Sequence, residues 1–261
     1  MRLHGLLVRI APALMPLTSI QAQTDRDFRW QGPLAAGKTI EIVGVNGGIV
    51  AEGTTGRQVE VAATKTARRS DPSTVTFDVV EHPGGVTICA IYPSRDRDEP
   101  NECRPGGQGR NNIRNNDVAV EWTVKVPQGV RFSGRTVNGK IQGTGLTTPT
   151  EARTVNGGIT IETTAWADAG TVNGAITARL GQADWDGEAS FHTVNGAVTV
   201  WLPASASVRV EASTVNGSLE TDFPLTIQGK WGPRRLSGTI GQGGRTLSLK
   251  TVNGSLALRK Q

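Results

Sequence analysis

Apolar and polar residues alternate in short runs along most of the chain, and a glycine-containing corner interrupts each run. In one copy of this pattern Val155, Ile159 and Ile161 occupy positions 0, +4 and +6, counted from the valine. Upstream of the valine position the apolar residues fall at −3 and −5, as at Leu249 and Leu247. Period-two spacing predicts strands with one buried face. The change of parity between −3 and 0 predicts a bulge or corner there.

The tetrapeptide Thr-Val-Asn-Gly lies at six of these corners, and a degenerate copy begins at Gly44. An Ile, Val or Leu follows the glycine by two residues in every copy. From Asn138 to Asn216 the asparagines are 17–22 residues apart, and the last step, to Asn253, is 37 residues. We expect Leu236–Ile240 to supply a rung that has lost its motif. The repeated positions are Val45, Asn46, Gly47, Val137, Asn138, Gly139, Val155, Asn156, Gly157, Val172, Asn173, Gly174, Val194, Asn195, Gly196, Val215, Asn216, Gly217, Val252, Asn253 and Gly254.

Self-similarity at a nearly fixed period is typical of stacked units that are too short to bury an apolar face alone. The sequence therefore predicts an all-β fold, an elongated β-solenoid or β-helix-like stack of 17–22-residue rungs. In this interpretation the motif valines line one core, the threonines face outward, and the asparagines form a ladder. The alternative is an antiparallel sandwich or meander, in which each Asn-Gly forms a type I′ hairpin turn with positive φ at both residues.

The N-terminus has the pattern of an export signal. Residues 1–23 combine basic Arg2 and Arg9 with an apolar stretch over 10–20 and a small residue, Ala22, before the predicted cleavage site. We divide the remainder into residues 24–130, an N-terminal β-strand segment continuous with the repeats, and residues 131–261, the repeat region. No run in the mature chain is apolar enough for a membrane span.

The N-terminal segment contains four predicted strands, over 59–63, 74–80, 86–91 and 118–126. A polar loop from Pro93 to Asn116 separates the last two. The chain has two cysteines, Cys89 and Cys103, and they bracket the first half of this loop. In an exported protein an isolated pair predicts a disulfide.

The charge of the chain bears on one class of function, nucleic-acid binding. The chain has 28 Lys and Arg residues against 23 Asp and Glu residues, and removal of Arg2 and Arg9 with the signal leaves a net charge of +3. This balance is too mild for a nucleic-acid-binding protein.

Few residues are candidates for chemistry. Asp184-Trp185-Asp186-Gly187-Glu188 is the densest acidic cluster, but it lacks the remaining ligands of a calcium loop. His192 follows it without the context of a nucleophile elbow, and His82 with the two cysteines makes an incomplete zinc set. We therefore predict no catalytic, cofactor-binding or metal-binding residues.

The repeated Thr-Val-Asn-Gly-x-Ile/Leu motif resembles the signature of the putative-adhesin β-strand-repeat family, a bacterial cell-envelope family whose domain has no assigned function. The resemblance covers most of residues 38–258. It implies a β-helical stack, a periplasmic or surface location, and a non-enzymatic binding or scaffolding module for an envelope protein or glycan. The alternative is a β-helical lyase or hydrolase of polysaccharides, acting from the 93–116 loop or the Asp184–Glu188 turn.

Overall fold

The computed structural model describes residues 27–183, 185, 188–228 and 233–261. The signal peptide predicted for residues 1–23 lies outside this part of the chain. Within it, no helix is long and apolar enough to cross a membrane.

The described residues form strands joined by turns and two short 3₁₀ turns, at Pro72–Thr74 and Pro105–Gly107. The strands are β1 (Asp27–Gly32), β2 (Thr39–Val43), β3 (Ile49–Thr54), β4 (Val59–Thr66), β5 (Thr76–His82), β6 (Gly85–Ile91), β7 (Ala119–Pro127), β8 (Arg131–Arg135), β9 (Ile141–Leu146), β10 (Thr150–Arg153), β11 (Ile159–Thr163), β12 (Ala167–Gly170), β13 (Ile176–Leu180), β14 (Glu188–His192), β15 (Val198–Leu202), β16 (Val208–Asn216), β17 (Leu219–Thr221), β18 (Ile227–Gln228), β19 (Arg234–Ile240), β20 (Arg245–Asn253) and β21 (Leu256–Lys260). The four strands predicted in the N-terminal segment correspond to β4, β5, β6 and β7.

The strands belong to two long sheets. The upstream sheet holds the strands that precede each motif, together with β5, β6, β18 and β19, in the order β18-β19-β16-β20-β14-β12-β10-β8-β2-β6-β5. The downstream sheet holds the strands that follow each motif, together with β1, β4 and β7, in the order β1-β4-β7-β3-β9-β11-β13-β15-β21-β17. One rung is therefore an upstream strand, the motif corner and a downstream strand, and seven such rungs stack on one another.

Neighbouring rungs pair in parallel and in register. Ile159 lies between Ile141 and Ile176, and the same column continues through Val198 to Leu256. This pairing confirms the predicted solenoid-like stack. The meander is wrong because its hairpins would be antiparallel and would hold the motif asparagines at positive φ. Among the described non-glycine residues, only Asn115 has a positive φ.

The core lies between the sheets, and a single hydrophobic cluster contains residues of both. The apolar residues at +4 and +6 of the motif, such as Ile159 and Ile161, are buried as predicted. The motif valines are not. Six of them are 37–44% exposed, and only Val45 is buried. The prediction that these valines line the core is therefore wrong for the six complete copies.

The parity change is real, but it lies later in the motif than predicted. The threonines of the motif are buried, at 1–6% exposure. They stand at position −1, on the same buried face as the apolar residues at −3 and −5. The corner consists of the Val-Asn-Gly that follows. Since it turns the chain from one sheet to the other, its valine points away from both.

The rungs do not stack in chain order at the C-terminal end. Strands β20 and β21 insert between the rung of β14 and β15 and the rung of β16 and β17. The residues predicted to form a degenerate rung, Leu236–Ile240, lie in β19, which pairs antiparallel with β16 outside the stack. That prediction is wrong because the chain turns back on β16 before it re-enters the stack.

At the opposite end the N-terminal strands extend both sheets beyond the first rung. The predicted disulfide between Cys89 and Cys103 is present, with Cα atoms 5.7 Å apart. It joins β6 to the 93–116 loop. Beyond the bond, Gly106 donates its amide to the buried Glu41 carboxylate at 2.8 Å, so the loop lies against the upstream sheet.

Candidate binding surface along the motif edge

The motif corners form one edge of the solenoid, which we call the motif edge: residues 45–47, 136–139, 154–157, 171–174, 193–196, 214–217 and 251–254. Its geometry follows from what each of the four residue types does in the stack.

The threonine hydroxyls join each rung to the preceding one. Thr171 Oγ1 donates to the Gly157 carbonyl at 3.0 Å, and Thr193 Oγ1 donates to the Gly174 carbonyl at 2.9 Å. The pattern continues where the rung order departs from chain order, since Thr251 donates to Gly196 at 2.9 Å. The hydroxyls are therefore internal, and the prediction that the threonines face outward is wrong.

The glycines allow this close stacking. A Cβ built on Gly174 would lie 2.0 Å from the Gly157 carbonyl oxygen. The six glycines of the complete copies have the same conflict, at 1.9–2.0 Å from a glycine carbonyl of the neighbouring rung. Only the degenerate copy uses a positive φ, 108° at Gly47. The motif thus requires glycine for close backbone approach and not for a left-handed turn.

The asparagine side chains form a continuous ladder. Each amide nitrogen donates to the side-chain oxygen of the preceding rung, at 2.8 Å in five of the steps and 2.9 Å from Asn138 to Asn46. At the first rung Asn46 donates instead to backbone carbonyls, including that of Asn116 at 3.3 Å. A side-chain amide has two N–H donors and two acceptor lone pairs. Each inner asparagine therefore keeps a donor and an acceptor site beyond the ladder.

The valines form a parallel column beside the ladder. Val137, Val155, Val172, Val194, Val215 and Val252 are exposed by 37–44%. At the usual spacing of about 4.8 Å between paired strands, seven rungs extend about 29 Å. The motif edge can therefore present a regular surface of methyl groups and amides. Such a surface suits a binding partner that is itself extended.

Of the other residues considered in the sequence, those that the structure describes lie outside the motif edge. Of the acidic turn, Asp184, Asp186 and Gly187 lie outside the described residues. His82 contacts Thr87 at 3.2 Å, near Glu41. Among the described residues, no group of three or more His, Cys, Asp or Glu is arranged to hold a metal ion.

His192 lies on the outer face of the upstream sheet, with its ring against Gly170. Partial burial lowers the pKa of its imidazole, and the cations of Arg153 and Lys250 lower it further, against an opposing effect of Asp168. The lowered pKa favours the neutral form of the ring.

This outer face also carries a row of ion pairs that the sequence analysis missed. Arg135 bonds Glu41 at 3.1 Å and Glu151 at 2.7 Å. Arg153 pairs with Glu151 at 3.6 Å and also with Asp168. The sequence does contain a signal for this row of ion pairs. The residue before the motif threonine is basic in four of the six complete copies, at Arg135, Arg153, His192 and Lys250.

Comparison with known proteins identifies a matching family model and similar solved structures. The family model described as Toastrack DUF4097 matches residues 123–259. A solved structure titled a putative cell adhesion protein from Clostridium sporogenes is 11% identical, with a TM-score of 0.45, over 90% of this chain and 100% of that one. A putative adhesin from Bacteroides fragilis is 11% identical, with a TM-score of 0.36, over 90% of this chain and 98% of that one. No curated protein matches the chain.

Proposed function

The chain belongs to the Toastrack DUF4097 family, and we propose that it is an exported, non-enzymatic module of the cell envelope that binds or scaffolds a protein or glycan through the motif edge. The observation that carries this proposal is the column of exposed valines beside the asparagine ladder. Backbone and side-chain hydrogen bonds hold both columns in register, so binding would require little ordering of the surface.

The disulfide supports an oxidising location, such as the periplasm or the cell surface. The signal-like residues 1–23 support the same proposal. Fractionation of cells that express the full chain or a form lacking residues 2–23 tests it. We expect only the full chain outside the cytoplasm. Equal cytoplasmic retention of both forms would contradict export.

The enzymatic alternative has less support. In the 93–116 loop, Glu99 pairs with Arg110 at 2.8 Å, and Glu102 pairs with Arg104 at 2.9 Å. These ion pairs engage both glutamates of the loop, so neither glutamate is a free carboxylate of the kind that glycoside hydrolysis uses. The second location proposed from the sequence, the Asp184–Glu188 turn, lies largely outside the described residues.

Binding through the motif edge can be tested by capture from envelope fractions of the source organism. The bait is the immobilised mature chain, and the fractions are solubilised envelope protein and purified envelope glycan. In the test variant, Val155→Asp and Val194→Asp place charges on alternate rungs. The matched control is Val79→Asp, because Val79 is 38% exposed on β5, away from the motif edge.

We expect the wild type and Val79→Asp to retain the same partner, and the double variant to lose it. All three should show the same circular dichroism, because the substituted valines are solvent-exposed. Capture that the double variant leaves unchanged would overturn the role of the motif edge.

A further inference from the structure

A groove of about 310 Å³ lies on the outer face of the upstream sheet, away from the motif edge. Strands β8, β10, β12 and β14 contribute to it. The parallel register places Ser133, Glu151 and Asp168 side by side in its middle row. Trp166, which immediately precedes β12, also lines the groove.

Ser133 gives the groove an unpaired polar group. The residue is only 6% exposed, and its hydroxyl is one of three buried side-chain polar atoms of the described residues that have no hydrogen-bond partner. Of the three, only Ser133 lines this groove. A buried hydroxyl without a partner is destabilising, and a ligand in the groove would supply the missing hydrogen bond.

The carboxylates beside Ser133 are already oriented. Arg135 and Arg153 hold Glu151, while Asp168 accepts from Arg153 and from the Ser190 amide at 3.2 Å. A carboxylate has about four lone-pair sites. Both groups can therefore accept further hydrogen bonds without changing rotamer.

Trp166 supplies an apolar surface next to these acceptors. Its side chain is half-buried, packs partly against the core and lines the groove. An indole that is anchored on one side offers its remaining surface to a flat apolar group at little cost in entropy.

The charges of the lining argue against an anionic ligand. Glu151, Asp168 and Glu188 contribute three negative charges, and Arg131 and Arg153 contribute two positive ones. Phosphate-rich polymers would meet net repulsion. A ligand with many hydroxyl groups and one apolar face fits both the acceptors and the indole.

We propose that this groove binds a short neutral or N-acetylated saccharide. The C–H face of one sugar ring packs on Trp166, and its hydroxyls donate to Glu151 and Asp168. The Ser133 hydroxyl donates to a ring or hydroxyl oxygen of the sugar. The site is separate from the motif edge, so it does not depend on what that edge binds.

Calorimetric titration of the mature chain with two probes tests the proposal. The probes are the β-1,4-linked tetramers of N-acetylglucosamine and of glucose. We expect at least one to bind, and Trp166→Ala to weaken that binding by about tenfold or more, as for an aromatic anchor. The matched control is Trp201→Ala, because Trp201 stacks on Arg179 on the other sheet, with 4.3 Å between the guanidinium carbon and the ring centroid.

Ser133→Ala is the second variant, and it keeps the test decisive if Trp166→Ala does not fold. Removal of an unpaired buried hydroxyl should leave stability unchanged or raised, while affinity falls by about two- to tenfold. The motif-edge variant with Val155→Asp and Val194→Asp should keep wild-type affinity. Absence of binding for both probes, or equal losses in Trp166→Ala and Trp201→Ala, would overturn the proposal.

Discussion

Asn253 donates its side-chain amide to Asn195 at 2.8 Å, although 58 residues separate them in the chain. On the other side Asn253 accepts from Asn216 at 2.8 Å. The last motif copy is therefore an interior member of the ladder, while the copy before it in sequence occupies the end. The C-terminal strand β21 accordingly lies between β15 and β17.

The first prediction follows from this insertion. Amide protons of β21, including that of Leu256, should exchange with solvent only on the time scale of global unfolding, because the strand is paired on both sides. C-terminal residues usually fray. Hydrogen exchange measured by NMR or mass spectrometry provides the test.

The internal control for this experiment is β17 (Leu219–Thr221), which lies at the edge of the same sheet. Its amides should exchange faster than those of β21. Faster exchange in β21 than in β17 would contradict the inserted rung.

The second prediction concerns the motif threonines. Thr171→Val keeps the branched shape but removes the hydroxyl that donates to the Gly157 carbonyl at 3.0 Å. We expect the free energy of unfolding to fall by about 1–3 kcal/mol, because a carbonyl loses its partner in a buried place. Thr171→Ser keeps the hydrogen bond and loses one buried methyl group, worth about 0.8 kcal/mol. Denaturant unfolding of both variants should give the larger loss for valine, and the opposite order would refute this role of the hydroxyl.

The third prediction concerns the motif glycine. Gly174→Ala should prevent native stacking of its rung, since the added methyl would lie 2.0 Å from the Gly157 carbonyl oxygen. The matched control is Gly158→Ala, directly after the preceding corner, because the equivalent position already holds alanine at Ala175 and Ala197. Thermal melts should show a large loss for Gly174→Ala and a small one for Gly158→Ala. Similar melting temperatures for the two variants would exclude the close approach as the reason for glycine.

The fourth prediction concerns coupling within the asparagine ladder. Asn173 donates to Asn156 at 2.8 Å and accepts from Asn195 at 2.8 Å. In a double-mutant cycle of Asn156→Ala and Asn173→Ala, the two losses of stability should be non-additive by more than about 0.5 kcal/mol. Asn46→Ala with Asn216→Ala, at opposite ends of the ladder, should be additive. Additivity in both pairs would mean that the ladder contributes no cooperative stability.

The fifth prediction concerns the pH dependence of stability. The folded protein lowers the pKa of His192 below its ordinary value of 6.5, chiefly by burial. The unfolded chain then binds more protons as the pH falls below that value, so this residue's contribution to stability is full above pH 6.5 and is lost as the pH falls through the folded pKa. His192→Gln should reduce the dependence, measured as the free energy of unfolding from about pH 8 to about pH 5. An unchanged dependence in the variant would contradict this assignment.

Much of the architecture could be predicted from the sequence because the repeat encodes local geometry. Period-two alternation, as at Ile159 and Ile161, specifies a strand with one buried face wherever the strand lies. Recurrence of the motif asparagine every 17–22 residues from Asn138 to Asn216 indicates equivalent rungs, and equivalent rungs in parallel register place Asn156 beside Asn173. The pairing of Cys89 with Cys103 could also be predicted, since the chain has no other cysteine.

The tertiary structure alone decided which residues of the motif face the core. Hydrophobicity assigns Val172 to the interior and Thr171 to the surface, yet the corner reverses them. Thr171 is buried because a carbonyl of the preceding rung accepts its hydroxyl, and Val172 is exposed because the chain is turning between sheets. The charged groove and the inserted C-terminal rung could not be predicted from the sequence for the same reason. Both depend on which strands become neighbours, and a residue's own sequence context does not contain the partner that pairs with it across the sheet.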